Sequence, residues 1–547
     1  LSGQVLPRWY AADNDAPFYL EDRDSQSSFG LFVEDILRKA DEDADFGQFD
    51  NDGPDGIPNS GDDDGLVDMI FIAMLTVPEG FLFGTATGIA RLGLEENFTT
   101  SDRSNRGGSI RIRGDTHADG PAGVLLRGHT FSVAVGSMAH EFGHFLGLPD
   151  LFNTRFAQSQ GGLDPVEDSA GIGYWGLMAH GTRGWDESGG PNPFSAWSLE
   201  QLGWIGVDNG DLEMVEEDRF GLEFADVNAG GKVRKIAKPG SRAYFLAEHR
   251  GRDASYYERD LPATGLLIWH VDPDQQDNDN EEAKLVDLVC ADGRYVDAGF
   301  PLGSEPAPRT GSDNLDFWSN DDDYLRSRGG NLGDASDPFD GIVHTEFSVL
   351  SNPAAPSGLA ITNIRPGSRG MVADILLDDR RRAGVVLDSE EWQGVVEVVG
   401  DVVVRSGGRL VVAGGTQVEF SEDRLGAGLD PERAELVVEG ALNINPSGGA
   451  EVRFTSGLPE PMPGDWYGIF VAPRARISAR ATTIEYPLIG LGANTLEGNH
   501  LLDGLSIRRA GRGLVLEDLV GEVELIDLDV RDCRGAAVVV RGRGSLR

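Results

Sequence analysis

Three side chains that can hold a metal ion lie close together in residues 140–150: His140, His144 and Asp150. Four residues of helix turn about 400°, so His140 and His144 project from one face. Two imidazoles so placed suit a tetrahedral zinc ion. Glu141, beside the first of them, can face a water on the metal rather than the metal itself. Gly147 can take φ > 0 and end the helix, and Pro149 bars its continuation. The resulting turn can bring Asp150 back as a third, oxygen ligand. The chemistry expected is hydrolysis, with one zinc ion activating water and Glu141 as general base. A rival third ligand, Glu167, lies 23 residues after His144. Its neighbours Gly161, Gly162 and Pro165 read as loop, which favours Asp150.

A second segment, residues 174–181, carries Trp175, Met178 and His180. It resembles the Met-turn of metzincin peptidases, in which a methionine thioether forms an apolar floor under the zinc. The offset of ten from His140 to Asp150 is also where metzincins place their third ligand, usually a histidine. His180 stands two residues after the methionine, where several metzincins carry a tyrosine near the substrate carbonyl, and it is a candidate oxyanion stabiliser.

Residues 50–68 carry a different chemistry. Asp50, Asp52, Asp55, Asp62, Asp64 and Asp68 are interleaved with glycine. Short, tightly turning chain with alternate carboxylates can supply the six to eight oxygens that Ca²⁺ takes. Without a counter-ion so many carboxylates would repel one another. It is not an EF-hand, since Pro54 takes the fifth position and no second helix follows; it looks more like the Ca²⁺ loops of thrombospondin type 3 repeats. A structural calcium there would brace the strand that follows.

The elements that must position these groups can be read from periodicity. Apolar residues at 29, 31, 32, 36 and 37 predict a helix, the run 66–75 a buried strand, and 132–146 the helix that carries the histidines. Residues 206–377 read as β-rich, with short apolar runs such as 243–247 and 265–271 divided by polar loops. Glu248, His249, His270 and Asp272 there read as structural. The acidic loop 272–282 reads as solvated surface, and 378–384 as a charged hinge. From 385 onward short Val/Ile/Leu strands alternate with glycine turns. Ile484, Ile507 and Val530 recur at steps of 23, and Gly513 and Gly535 lie 22 apart. Periods in the low twenties with strand content predict a stacked solenoid. The texture resembles the right-handed parallel β-helix, with 408–420 as its capping rung and its end truncated. The expected organisation is therefore multidomain, α/β plus all-β: a catalytic domain over 1–205, a β-rich accessory domain over 206–377, and a parallel β-helix over 385–547.

Composition bounds the partners. With 47 Lys and Arg against 91 Asp and Glu, the formal charge is −44. Such a surface repels nucleic acid and anionic membranes. No stretch approaches the roughly 18 apolar residues of a membrane span, so no membrane insertion is expected. Cys290 and Cys533 cannot make a disulfide framework. No signal peptide is visible at Leu1, so a leader and a pro-segment are expected to be missing from this chain.

Four blocks together resemble the immune inhibitor A-like family of secreted bacterial zinc metallopeptidases. They are the run from His140 to Leu151, the turn at Trp175 and Met178, the stretch from Pro193 through Trp197 to Trp204, and the pair 244–250 and 261–272. Phe152 stands where the family leads one to expect tyrosine. The resemblance implies a secreted endopeptidase acting on protein or peptide substrates. The substrate is expected along an edge strand, either 109–113 or 123–126. A glycan or cell-surface ligand is a further expectation for the solenoid. The alternative is a non-catalytic adhesin or glycan-binding protein with a decayed peptidase domain.

Overall fold

The structure is a computed structural model describing every residue except 1–2, 21–28, 78–80, 82–87, 116–122, 128–130, 153, 155–170, 186–188, 239–240, 280–282, 292–337, 352–354, 357, 387–388 and 425–427. The rival ligand Glu167 and the end of the acidic loop 272–282 lie outside the described residues.

A short helix α1 (Ala16–Leu20) precedes α2 (Phe29–Ala40), whose apolar stripe buries Val33, Ile36, Leu37 and Ala40. Val33, Leu37 and Ala40 share a core with Met74 of the strand β1 (Ile70–Met74) and its neighbours. A short β2 (Gly88–Ile89) follows, then a hairpin of β3 (Phe98–Arg103) and β4 (Ser109–Ile112), then β5 (Gly123–Arg127). The first sheet runs β1-β5-β2, with β5 parallel to β1 and antiparallel to β2. Val124, Leu125 and Leu126 are almost wholly buried, as befits a central strand. The helix α3 (Phe131–Phe145) lies on this sheet and carries both histidines.

Beyond helix α4 (Ala196–Gln201) come β6 (Leu212–Val215), β7 (Arg219–Ala225), β8 (Val233–Ala237), β9 (Tyr244–Arg250), β10 (Gly265–Val271), β11 (Val286–Leu288), β12 (Ala360–Pro366) and β13 (Gly370–Leu376). They form a five-stranded sheet β11-β10-β9-β8-β6 and a three-stranded sheet β12-β13-β7. All seven residues of β9 are buried because the five-stranded sheet is covered on both faces. Phe245, Ala247, Leu266 and Ile268 face the three-stranded sheet. Leu246, Leu267, Trp269 and Val271 face the other way, joining Leu148, Leu151, Trp175, Met178 and Trp197 in one apolar cluster. Position 205 therefore falls within a shared core.

Residues from Arg381 to Leu546 form a 17-stranded sheet whose pairings among the described residues are all parallel. Its core runs from Val386 to Val523, and Phe420 stacks on Trp466 at 3.8 Å. The repeat read from the sequence is the register itself: Ile484 pairs with Ile507, and Ile507 with Val530. The corners repeat too. Ala481, Gly504 and Asp527 all have positive φ, as do Tyr486, Arg509 and Asp532, each set again at steps of 23. Three expectations shift. Arg381 to Val386 is the first strand of this sheet, so 378–384 is not a free hinge. Strands before residue 405 lie against 408–420, which is thus not the outermost layer. Gly535 stacks on Gly511 rather than Gly513, since its N–H donates to the Gly511 carbonyl at 2.8 Å. No helix among the described residues is long and apolar enough to cross a membrane, and both cysteines are free thiols.

Candidate metal centre and active site

The helix α3 puts His140 and His144 side by side, ring centroids 4.9 Å apart. Gly147 has φ +93°, the left-handed conformation that lets the chain reverse. The reversal brings an Asp150 carboxylate oxygen to 3.1 Å from His140 Nε2 and 3.4 Å from His144 Nε2. Donor atoms of the three residues all lie within 4.8 Å of one another. The other ring nitrogen of each histidine meets a backbone carbonyl. His140 Nδ1 is 2.7 Å from the Leu177 oxygen, and His144 Nδ1 is 2.8 Å from the Leu148 oxygen. With Nδ1–H donating to a carbonyl, the neutral ring keeps its lone pair on Nε2, as a metal-bound histidine requires. Two imidazole nitrogens and one carboxylate, oriented in this way and largely buried, fit a zinc ion.

Charge in the cluster is strongly coupled. Burial works against a charged His144, but the hydrogen bond and charge of Asp150 outweigh it and push His144 up to about 9. Burial would raise Asp150, yet its bonds to the two histidines hold it well below the usual carboxylate range. Glu141 is 8% exposed, and burial raises its carboxyl above the ordinary value. Its side chain lies against β2: a Cβ on Gly88 would stand 3.0 Å from Glu141 Oε1. β2 is an edge of its sheet among the described residues, whereas β5 is paired on both sides and β4 belongs to the separate hairpin. Neither stretch expected to bind substrate is thus the edge beside Glu141. A two-residue strand is too short to reveal itself by periodicity.

Met178 is wholly buried beneath α3, tight against Gly143. Its carbonyl accepts the Leu151 N–H at 2.7 Å, tying the turn to the residue after Asp150. His180 begins the next turn, and its ring lies 5.2 Å from that of Phe152.

Residues 1–210 match the family model described as immune inhibitor A peptidase M6, catalytic domain. The match covers less than half of the chain's 547 residues. It supports a metallopeptidase, a hydrolase acting on protein or peptide substrates, for this region. No curated protein matches the chain.

The acidic loop regroups its carboxylates. Asp50, Asp52 and Asp63 bring oxygens within 4.8 Å of one another. Asp63 is not among the ligands that the sequence pattern predicts. It is fully buried and accepts the N–H groups of Gly53 at 2.8 Å and Ser60 at 2.6 Å. Asp50 is 1% exposed, and neither of its carboxylate oxygens accepts a hydrogen bond of normal geometry. Burial first, then the charges of Asp63, Asp64 and Asp52, push it up to about 6. The other expected ligands serve backbone turns: Asp55 accepts from Ile57, Asp62 from Asp55, Asp64 from Leu66 and Asp68 from Asn51. The loop folds back on itself, so contacts ten residues apart outrank i, i+2 alternation.

Of the residues read as structural in the β-rich region, Glu248, His249 and Asp272 are held by neighbours. His249 Nδ1 meets the Gly265 carbonyl at 2.8 Å, and Glu248 pairs with Arg250 at 2.9 Å. Burial, then Lys238, lowers His270 to about 4.

Proposed function

We propose that the chain is a secreted bacterial zinc metalloendopeptidase, with His140, His144 and Asp150 as ligands and Glu141 as general base. The observation that carries this is the trio itself: three donors converge, and each histidine is turned by a backbone carbonyl so that Nε2 faces Asp150. A zinc ion bound there supplies Lewis acidity, acidifying water and polarising the scissile carbonyl. Glu141, raised by burial, accepts the proton of the attacking water and passes it to the leaving amine. β2, an edge strand among the described residues, offers its backbone to an extended peptide beside Glu141. Met178 forms the apolar floor, and His180 is the candidate partner for the developing oxyanion. The intact donor set weighs against a decayed, purely adhesive protein.

Two further assignments belong to this reading. Asp50, Asp52 and Asp63 form a structural calcium site, supported by the orphaned, buried Asp50 carboxylate. Residues 381–547 form a right-handed parallel β-helix, supported by the parallel register at steps of 23. The glycan ligand expected for it draws no support from the described residues.

The test is Glu141→Gln. Cleavage of casein should fall by at least about 10²-fold while zinc content stays near one per chain, and a zinc chelator should silence the wild type. Unchanged cleavage in E141Q would sink the mechanism.

A further inference from the structure

We infer that the five-stranded sheet beyond residue 210 is a working part of the metal centre, with Arg250 and Asn278 as positioning residues for its ligand loops; this rests on the zinc reading above. The two residues reach the centre by separate routes.

Arg250, at the end of β9, is 2% exposed and enclosed by protein. Its guanidinium donates to the Trp175 carbonyl at 3.0 Å and the Phe194 carbonyl at 3.1 Å. The first carbonyl belongs to the Met-turn itself and the second to the segment that leads into α4. The Leu177 N–H in turn donates to the Pro193 carbonyl at 3.0 Å, closing a ring of bonds around the turn. Leu177 then presents its own carbonyl to His140 Nδ1. On its other side the guanidinium is fixed by Glu248 at 2.9 Å and Glu258 at 3.4 Å, and Glu248 also accepts the Trp269 indole N–H at 3.0 Å. A planar fork of five donors can serve two carboxylates and two carbonyls together; an ammonium cannot reach them all.

Asn278, in the loop after β10, is fully buried. Its amide donates to the Leu151 carbonyl at 3.1 Å and the Val286 carbonyl at 2.7 Å, and its oxygen accepts the Val286 N–H at 3.0 Å. Leu151 adjoins the third ligand, Asp150. Asp279 adds a second tie by accepting the Thr154 N–H at 2.8 Å. The acidic loop that reads as solvated surface is thus a clamp on the ligand turn. The shared apolar cluster around Met178 and Trp269 makes the same connection through packing.

The sheet therefore orients two of the three ligands from outside the 1–210 match. Outer-shell partners of this kind typically change metal affinity about 10- to 100-fold.

The test uses the full chain carrying Arg250→Lys, Asn278→Asp or, as a control, Glu200→Gln. Glu200 bridges α4 to the same sheet through Lys235 at 2.6 Å and Tyr244 at 2.7 Å, without touching the ligand loops. Zinc affinity is measured by chelator competition, the visible spectrum by cobalt(II) substitution, and melting on metal-free protein. R250K and N278D should bind zinc at least about 10-fold more weakly and shift the cobalt bands. E200Q should lower the melting temperature alone. Wild-type zinc affinity and cobalt spectrum in folded R250K and N278D would overturn the inference. Should R250K not fold, Asn278→Ser decides in the same assays. Failure of the wild type to bind zinc would instead refute the zinc reading itself.

Discussion

Gly136 lies one helical turn before His140, where α3 crosses the turn 180–183. A methyl group there would sit 2.7 Å from the Thr182 carbonyl carbon and 3.3 Å from its Cα, with the carbonyl oxygen closer still. Carbon atoms prefer about 3.5–4.0 Å, so Gly136→Ala must drive the helix and the turn apart by about 1 Å or more. Both sides are backbone and neither is soft. The turn is pinned by the Gly181 N–H on the Gly176 carbonyl and the Asn192 N–H on the Gly181 carbonyl. Overpacking of this kind costs about 1–3 kcal/mol, and the rigid partners place it at the upper end. The displacement also stretches the 2.7 Å contact between His140 and the Leu177 carbonyl. A misplacement of about 1 Å can cost about 10²-fold in rate. The assay compares G136A with Gly206→Ala, where an added Cβ meets nothing within 4 Å. Melting temperature, zinc affinity and kcat/KM on a casein-derived peptide are read together. G136A should lose all three, and G206A should match the wild type. A G136A protein with unchanged stability and rate would refute the claim that this crossing sets the histidine geometry.

The calcium reading distinguishes neighbouring aspartates. After chelation, returning calcium to about 100 times its Kd should stabilise the wild type by about 2.7 kcal/mol, seen as a rise in melting temperature. That rise should vanish in Asp63→Asn and persist in Asp62→Asn; the opposite pattern would move the site. In the C-terminal sheet, Glu435 is fully buried, and burial, then Asp401, push it up to about 7 from an ordinary 4.5, against the pull of the Leu429 N–H. A carboxyl raised in this way costs the fold nothing below about pH 4.5, and stability falls as pH rises through about 7, by about 1–3 kcal/mol in all. Denaturant melts of Glu435→Gln should therefore show a stability gain at pH 8 that is absent at pH 4; an equal effect at both would contradict the assignment of this group.

The trio of candidate ligands was legible because helical geometry is local: an i, i+4 pair and a glycine-permitted turn fix it within eleven residues. The step of 23 was legible because stacking repeats a side chain at the same place in each turn. What escaped was long range. Asp63 meets Gly53 across a fold in its loop, and Arg250 meets Trp175 from 75 residues away. β2 is an edge only because of what lies beside it. A signal for Arg250 does exist: charged residues at 248 and 250 directly continue the apolar run 243–247, and a strand that stays buried there requires partners for them. Glu248 reads as structural from the sequence, but its partner Arg250 shows only in the fold. The boundary at 205 follows a change of texture, whereas the core of apolar side chains runs across it.

The recurring left-handed corners at 481, 504 and 527, and at 486, 509 and 532, make chain length in this region a quantised property. A stray insertion of one residue would move every later corner off its column by one position. Adding or losing a whole period of 23 leaves every corner on its column, while moving the far end by only one strand spacing, about 4.8 Å. Lineages of this chain can therefore grow or shrink here in discrete units, and the distance between its two ends changes in small, equal increments.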